Sequence, residues 1–412
     1  MPESSMRAHA GLRTRLGQPW GARTSFLVVA AVQATLFAGS NLPTPLFPLY
    51  ERRYDFGSGV VTLLFVSYVA VLIPSMLTLG RLSDALGRRP VMIAGLALTG
   101  LSSLAFAGAR NVGWLFAGEV AYGVAAGMVN SGVVAALREL HPEDSAAGGA
   151  LGVTAAQVTG LLIGPLASGV LAATTPWPLV SPYALDIALV LALLGALAKV
   201  PETRPQVVRS RPPMFVVPHE IRAQFVPAVL VAAVGWMTAG WVFALSPLFL
   251  REQLDVGRPA LAGAFAAVVL ATNLATQVAF WRGRTERVQR LGLAVAPLGM
   301  AVVAASATVP SVVLAFVGAV VLGAGFGAVT MSSMAALLAA APPETRGGVA
   351  SAFLTGCYAA LSVPVLVIGL VADHLGLAVV TGIYALALAA LASRAHVATR
   401  QGQRWLAPAV SS

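Results

Sequence analysis

Charge is scarce in this sequence. Only 10% of its 412 residues are charged, where a soluble globular chain carries about 25%. Too few charges remain to cover a water-facing surface. Lys199 is the only lysine, so arginine supplies nearly all of the 26 basic side chains and the net charge of +10. Cys357 is the only cysteine, which excludes an internal disulfide. The five histidines (His9, His141, His219, His374 and His396) are scattered, with no H-E-x-x-H pair and no Cys/His cluster. No G-x-S-x-G elbow is present, and Ala198 precedes Lys199, so there is no phosphate-binding G-x-x-x-x-G-K-[ST]. The sequence therefore offers no candidate chemistry for an enzyme, no metal site, no cofactor site and no ATP-driven pump. Apolar residues are plentiful: they make up 58% of the chain, and the mean hydropathy is +0.82. That composition excludes disorder and describes a protein that crosses a membrane many times.

A helix needs about 20 apolar residues to span the hydrocarbon core. Twelve such blocks occur, at 24–47, 59–79, 91–109, 112–137, 147–173, 179–198, 224–249, 259–281, 291–308, 311–338, 347–372 and 376–393. None shows the period-2 alternation of a membrane barrel strand. Five arginines (Arg52, Arg53, Arg110, Arg251 and Arg258) fall in one set of loops; the remaining Lys and Arg fall in the other set and the two tails. Positive charge stays on the cytoplasmic side, so both termini are expected there, as an even number of spans requires. The same placement assigns the basic charge to membrane topology and not to nucleic acid. Trp20, Trp114, Trp177, Trp281 and Trp405 lie near block edges, where amphipathic rings favour the interface. The arginine-rich first 23 residues read as an uncleaved tail, because the apolar block that follows is too long for a signal peptide.

The two halves echo one another at a spacing of about 200 residues. Pro45-Leu46-Phe47 matches Pro247-Leu248-Phe249, Ala135-Ala136-Leu137 matches Ala335-Ala336-Leu337, Gly148-Gly149 matches Gly347-Gly348, and Pro165 matches Pro364. Six spans separate equivalents, so the repeats are parallel. The expected organisation is a tail (1–23), a six-helix bundle (24–198), a Pro- and Arg-rich linker (199–223), a second six-helix bundle (224–393) and a tail (394–412). Parallel repeats place a substrate site near the midplane between the halves.

Between spans 2 and 3 stands Gly80-Arg81-Leu82-Ser83-Asp84-Ala85-Leu86-Gly87-Arg88-Arg89-Pro90. This resembles motif A of the major facilitator superfamily, G-x-L-x-D-x-x-G-R-R/K. Span 5 carries Gly160-Leu161-Leu162-Ile163-Gly164-Pro165-Leu166-Ala167-Ser168-Gly169, similar to motif C, G-x-x-x-G-P-x-x-G-G, with Ser168 at a glycine position. Motif C marks the drug/proton antiporter branches. The resemblance implies an all-α membrane protein of twelve helices in two parallel six-helix bundles. It further implies a monomeric secondary transporter of small molecules in the bacterial inner membrane. Motif A also has a physical sense: Asp84 is placed to dock on the N-terminus of span 11, where unpaired N–H groups and the helix dipole favour a carboxylate. Gly80, Asp84, Gly87, Arg88, Arg89 and Arg138 make up this expected latch. Gly160, Gly164, Pro165 and Gly169 are the antiporter-motif candidates; Gly160, Gly164 and Ser168 recur every four residues as one small-residue face, which in the family packs span 5 against span 8.

Span 4 resembles motif B, R-x-x-Q-G-x-x-A-A/G, with Glu119 at the arginine and Tyr122 at the glutamine. The arginine's coupling role therefore does not transfer. Glu119 is judged on its own chemistry: an ionised carboxylate in hydrocarbon costs at least ~2.5–3.5 kcal/mol, so an acid there is by default functional. Asp186 in span 6 is the second such acid. Both are candidate proton-coupling groups. Candidate substrate-binding residues are Gln33, Asn41, Asn130, Gln157, Trp236, Trp241, Asn273 and Gln277. Asn41 is followed by Pro43, Pro45 and Pro48, which predicts a break near the end of span 1. The expected function is export of small, largely apolar molecules by proton antiport with alternating access. The alternatives are a proton symporter or uniporter of a metabolite and, more remotely, a transport-dead sensor or scaffold.

Overall fold

The computed structural model describes residues 20–79, 82–140, 146–203, 217–280, 285–342 and 345–406. Among these the chain is helical, with no strands. Span 1 is Ala22–Gly39, continued after a break by a helix at Phe47–Tyr54. Spans 2 to 6 are Ser58–Leu79, Arg88–Ala107, Val112–Glu139, Ala146–Thr174 and Ser181–Leu197. Span 7 is Arg222–Ala244, continued by Ser246–Leu254. Spans 8 to 12 are Pro259–Ala279, Thr285–Thr308, Val312–Ala340, Arg346–Leu375 and Leu377–Leu406. Eleven of these helices are long and apolar enough to cross a membrane, and Ser181–Leu197 is a shorter apolar helix.

The expected break in span 1 is present. The helix stops at Gly39, a one-turn 3-10 segment follows at Thr44–Leu46, and a new helix begins at Phe47 with Pro48 in its first turn. Proline suits that position because it has no N–H to leave unpaired. Span 7 repeats the pattern, with Pro247 in the first turn of the Ser246–Leu254 helix, so its structural equivalent is Pro48 and not Pro45, which lies in the preceding 3-10 turn. Both second helices end on an aspartate in the left-handed region, Asp55 and Asp255, the only non-glycine residues with positive φ among those described. The internal repeat thus extends to backbone conformation.

Two faces are distinguished by where the chain begins. On the terminal face, Trp20 at the start of span 1 meets Lys199 past the end of span 6: its N–H donates to the Lys199 carbonyl, and the Lys199 ammonium lies 5.5 Å from the indole centroid. On the opposite, distal face, one apolar core crosses both halves, joining Leu46, Phe47, Tyr50 and Val61 to Trp241, Leu248, Phe249 and Val365. This shared core runs on through the second half to Leu293, Ala392 and Ala395, and toward the terminal face two further cores belong to one half each. One is built from Val29, Leu96, Val129, Leu137 and Leu197 of the first half. The other comprises Ile221, Leu337, Val349, Phe353 and Cys357 of the second. The halves are sealed at the distal face and parted beneath it.

Two helix pairs form the seal. Span 5 meets span 8 through missing side chains: a Cβ on Gly169 would lie 2.5 Å from the Pro259 carbonyl oxygen, and a Cβ on Gly263 would strike Pro165. Span 2 meets span 11 at Thr62 and Gly369. Small residues let backbones approach where packing alone drives association. The structure differs here from the expectation for motif C. Gly160 and Gly164 face span 1, where added methyl groups would strike the carbonyls of Ala34 and Ala38. Ser168 donates to the Leu42 carbonyl at 2.7 Å. Only the Pro165–Gly169 side of the motif meets span 8, because residues four apart share one helix face and Pro165 lies on the next.

Candidate functional site

Beneath the seal the halves leave a small recess between them, with about 10 Å³ of free space. Leu36, Phe37, Ser40, Tyr68, Leu72, Met76, Ala126 and Asn130 line it from the first half, and Tyr358 from the second. Trp236 meets the Tyr358 ring edge-on at 4.8 Å between centroids. The walls are aromatic and apolar, and no acidic side chain lines them. Asn130 is the one expected substrate residue in the lining. Gln33 lies behind it, fully buried, donating from Nε2 to Asn130 Oδ1 at 2.9 Å.

The other candidates are placed elsewhere. Trp241 does not reach the recess; it is fully buried, between Phe249 and Phe265. Asn41 folds back on span 1, donating to the Phe37 carbonyl at 3.1 Å and to Ser40 Oγ at 2.8 Å. Asn273 accepts from Gln277 Nε2 at 2.7 Å, one turn away on the same helix. Gln157 is half-buried on span 5. Tyr68 and Tyr358, which do line the recess, escaped the sequence reading, since a tyrosine in an apolar span looks like packing.

Glu119 and Asp186 both sit in the interior of the first half, near its distal end. Glu119 is buried close enough to Tyr50, Tyr68, Tyr122 and Tyr183 to interact with them electrostatically, and it forms no hydrogen bond or ion pair among the described residues. The Asp186 carboxylate accepts from Ser103 Oγ at 2.7 Å. The two acids are linked through Tyr122. This residue lies one turn from Glu119 on span 4, and its hydroxyl donates to the Leu36 carbonyl at 2.5 Å. Gly39 fits against the same group, so that a Cβ there would lie 3.1 Å from Tyr122 Cζ and 3.2 Å from Asp186 Oδ1. The Leu36 carbonyl also accepts from Ser40 N–H, the last helical bond before span 1 breaks. Asp186 and Tyr122 therefore lie against the bend of span 1, with Glu119 one turn from Tyr122 on span 4; Leu36, Phe37 and Ser40 of that bend line the recess on its other side.

At the terminal face, Gly80 and the side chain of Asp84 lie outside the described residues. Arg88 opens span 3 and pairs with Glu139 at 3.2 Å. Glu202, from the Pro201-Glu202-Thr203-Arg204 stretch after span 6, accepts from the backbone N–H of Arg88 at 2.9 Å and of Arg89 at 3.0 Å. The Arg89 guanidinium donates to the Val200 carbonyl at 3.1 Å. The Glu202 carboxylate packs on Gly87, whose φ of 99° suits glycine. Arg138 is exposed. This side of motif A clamps span 3 to the end of span 6.

At the distal face, Arg251 crosses between halves. It pairs with Glu51 at 2.5 Å, donates to the Pro48 carbonyl at 3.1 Å, and pairs with its neighbour Glu252 at 3.2 Å. Burial raises the Glu252 carboxyl above the usual carboxylate range, with Arg251 pulling the other way.

The profile of the Major Facilitator Superfamily matches residues 29–364. The methyl viologen resistance protein SmvA of Salmonella typhimurium is 30% identical over 206 residues, covering 47% of this chain and 40% of that protein. The quinolone resistance protein NorA of Staphylococcus aureus is 27% identical over 137 residues, covering 33% of this chain and 35% of that protein. The matched stretch spans less than half the length of either relative. Among solved structures, a mutant of the peptide transporter POT in complex with sulfate superposes with a TM-score of 0.78 at 14% identity, over 94% of this chain and 95% of that one. A bacterial homolog of the human lysosomal transporter Spinster, inward-facing and unoccupied, gives 0.71 at 14%, over 92% and 95%. These two likenesses establish the fold. Two six-helix halves around a recess, together with the profile match along most of the chain, place this protein in the Major Facilitator Superfamily: it is a multi-pass membrane transporter of that family.

Proposed function

We propose that the protein exports small, largely apolar molecules by proton antiport, cycling between a state closed at the distal face and one closed at the terminal face. In this reading the terminal face, with both chain ends, is cytoplasmic, the membrane is the bacterial plasma membrane, and the monomer is the working unit. The domain limits are 24–198 and 224–393, with 199–223 as linker. The observation that carries the proposal is the pair of buried acids flanking Tyr122, whose hydroxyl holds the bend of span 1 and beside which Asp186 meets Gly39. A carboxylate in that position is favoured only when protonated or wetted. A change in its protonation therefore acts on the helix that also walls the recess. Motif C and the drug-resistance names of SmvA and NorA support the export direction. The aromatic lining suits flat, apolar ligands, held by stacking and by one amide at Asn130.

The test is proton release on substrate addition, together with drug resistance, in wild type, Glu119→Gln and Asp186→Asn at matched membrane expression. The expected result is loss of resistance in Glu119→Gln by at least about tenfold, with substrate binding retained and its proton release abolished. Export that stays proton-coupled in both variants removes both acids from the mechanism. Uptake in place of export supports the symport or uniport reading.

A further inference from the structure

We infer that Asp373 is a positioning residue of the transport cycle: it holds the distal face closed by capping the N-terminus of span 2 from the opposite half. The inference rests on the alternating access just proposed. Asp373 lies in the last turn of span 11. Its Oδ1 accepts from the Ser58 backbone N–H at 2.9 Å and from Ser58 Oγ at 2.6 Å, and its Oδ2 accepts from the Gly59 N–H at 3.3 Å. Ser58 and Gly59 open span 2, where N–H groups have no acceptor within the helix and the dipole is positive. A carboxylate is the group such a site favours, and here it comes from the other half. Gly57 makes the approach possible, because a Cβ there would lie 2.6 Å from both carboxylate oxygens. One turn further along each helix, Gly369 packs on Thr62.

The contact has the properties of a reversible latch. Its donors are mainly backbone groups, always present and always oriented. When the seam opens, water reaches the carboxylate and the N–H groups alike, so neither is left buried and unpaired. The equivalent seam between spans 5 and 8 has no such acid: the repeat puts Thr174 where Asp373 stands, and glycines close that side. The charged latch therefore belongs to the span 2–span 11 pair alone. Motif A would supply its counterpart, since Asp84, past the far end of span 2, is the acid expected to dock on the N-terminus of span 11. Each helix of the pair then offers its N-terminus to an acid carried near the other's C-terminal end, at opposite membrane faces. Each acid is satisfied in one of the two states. Removing either shifts the equilibrium, and the two removals shift it in opposite directions.

The experiment measures distances between spin labels at Arg110→Cys and Val309→Cys, both exposed at the distal end, in a Cys357→Ala background in lipid nanodiscs. It needs neither substrate nor proton gradient, so failure of the export reading leaves its outcome intact. Asp373→Ala is expected to move the populations toward the long, distal-open distance by about tenfold, which is about 1.4 kcal/mol. Gly57→Ala, which keeps the acid but blocks its approach, is expected to do the same. Asp84→Asn is expected to move them toward the short distance. An unchanged distribution in both Asp373→Ala and Gly57→Ala overturns the inference. So does a loss of thermal stability in both without any change in distance, which would make the contact structural only.

Discussion

Tyr122, which stands beside the buried acids, ties span 4 to the bend of span 1 by a single hydroxyl. That hydroxyl donates to the Leu36 carbonyl, the same atom that takes the last helical N–H before the break. Tyr122→Phe removes the bond and keeps the packing. It is expected to lower export several-fold while leaving membrane expression unchanged, as measured by initial transport rates in vesicles. A buried hydrogen bond contributes about 1 kcal/mol, enough to bias a bend without unfolding the bundle. Glu119 was legible in the sequence because an acid in an apolar run has no cheap explanation. Tyr122 was visible only as a departure from motif B. Its role depends on which carbonyl faces it across span 1, and that is set by helix rotation. Trp241 shows the same gap from the other side: its type suggested a ligand wall, and its rotation put it in the core, leaving Trp236 beside Tyr358.

At the scale of the helix, motif C divides into two surfaces. Gly160 and Gly164 seat span 5 on span 1 within one half, whereas Gly169 meets span 8 across the seam. Substitution at the two sites should therefore fail in different ways. Gly160→Ala forces a methyl into the Ala34 carbonyl and is expected to cost about 1–3 kcal/mol of stability, typical of overpacking, read as a lower melting temperature. Gly169→Ala presses on the Pro259 carbonyl only while the distal seam is closed. It is expected to raise the distal-open population in the same spin-label assay with little change in melting temperature. The spans themselves and the break after Gly39 were plain in the sequence, because apolar run length and proline spacing are local properties. Which glycine faces which neighbour was not, since the small-residue pattern covers two adjacent faces of one helix.

For the whole molecule, the repeat makes a specific demand on charge. Counted back from the left-handed aspartates that end the two second helices, Asp55 and Asp255, residues 51 and 251 are structural equivalents, and they meet each other. At a two-fold axis a residue faces its own copy, and identical charges there would repel. The chain carries Glu51-Arg52 in one half and Arg251-Glu252 in the other, so the equivalents attract. Glu51→Arg places two guanidinium groups together and is expected to open the distal face about tenfold in favour of the long spin-label distance, or about 1.4 kcal/mol. Adding Arg251→Glu reverses the pair and is expected to restore the wild-type distribution to within about twofold. Failure of the double variant to recover would show that the Arg251 contact with the Pro48 carbonyl carries the closure and the ion pair does not.

The sequence by itself determined the membrane class, the number of spans, the parallel repeat and the family. Each of these is written in the spacing of apolar blocks and short motifs along one dimension. It also exposed the two buried acids, because burial in lipid penalises charge wherever the span points. Only the tertiary structure decided the conformation: sealed through one shared core at the distal face, with a further core confined to each half toward the terminal face. It alone brought Asp373 to Ser58, Arg251 to Glu51 and Tyr122 to Leu36. These contacts join residues far apart in the chain, and they depend on how each helix is rotated about its axis. An apolar helix in an apolar solvent carries almost no amphipathic signal to fix that rotation, so packing between helices sets it.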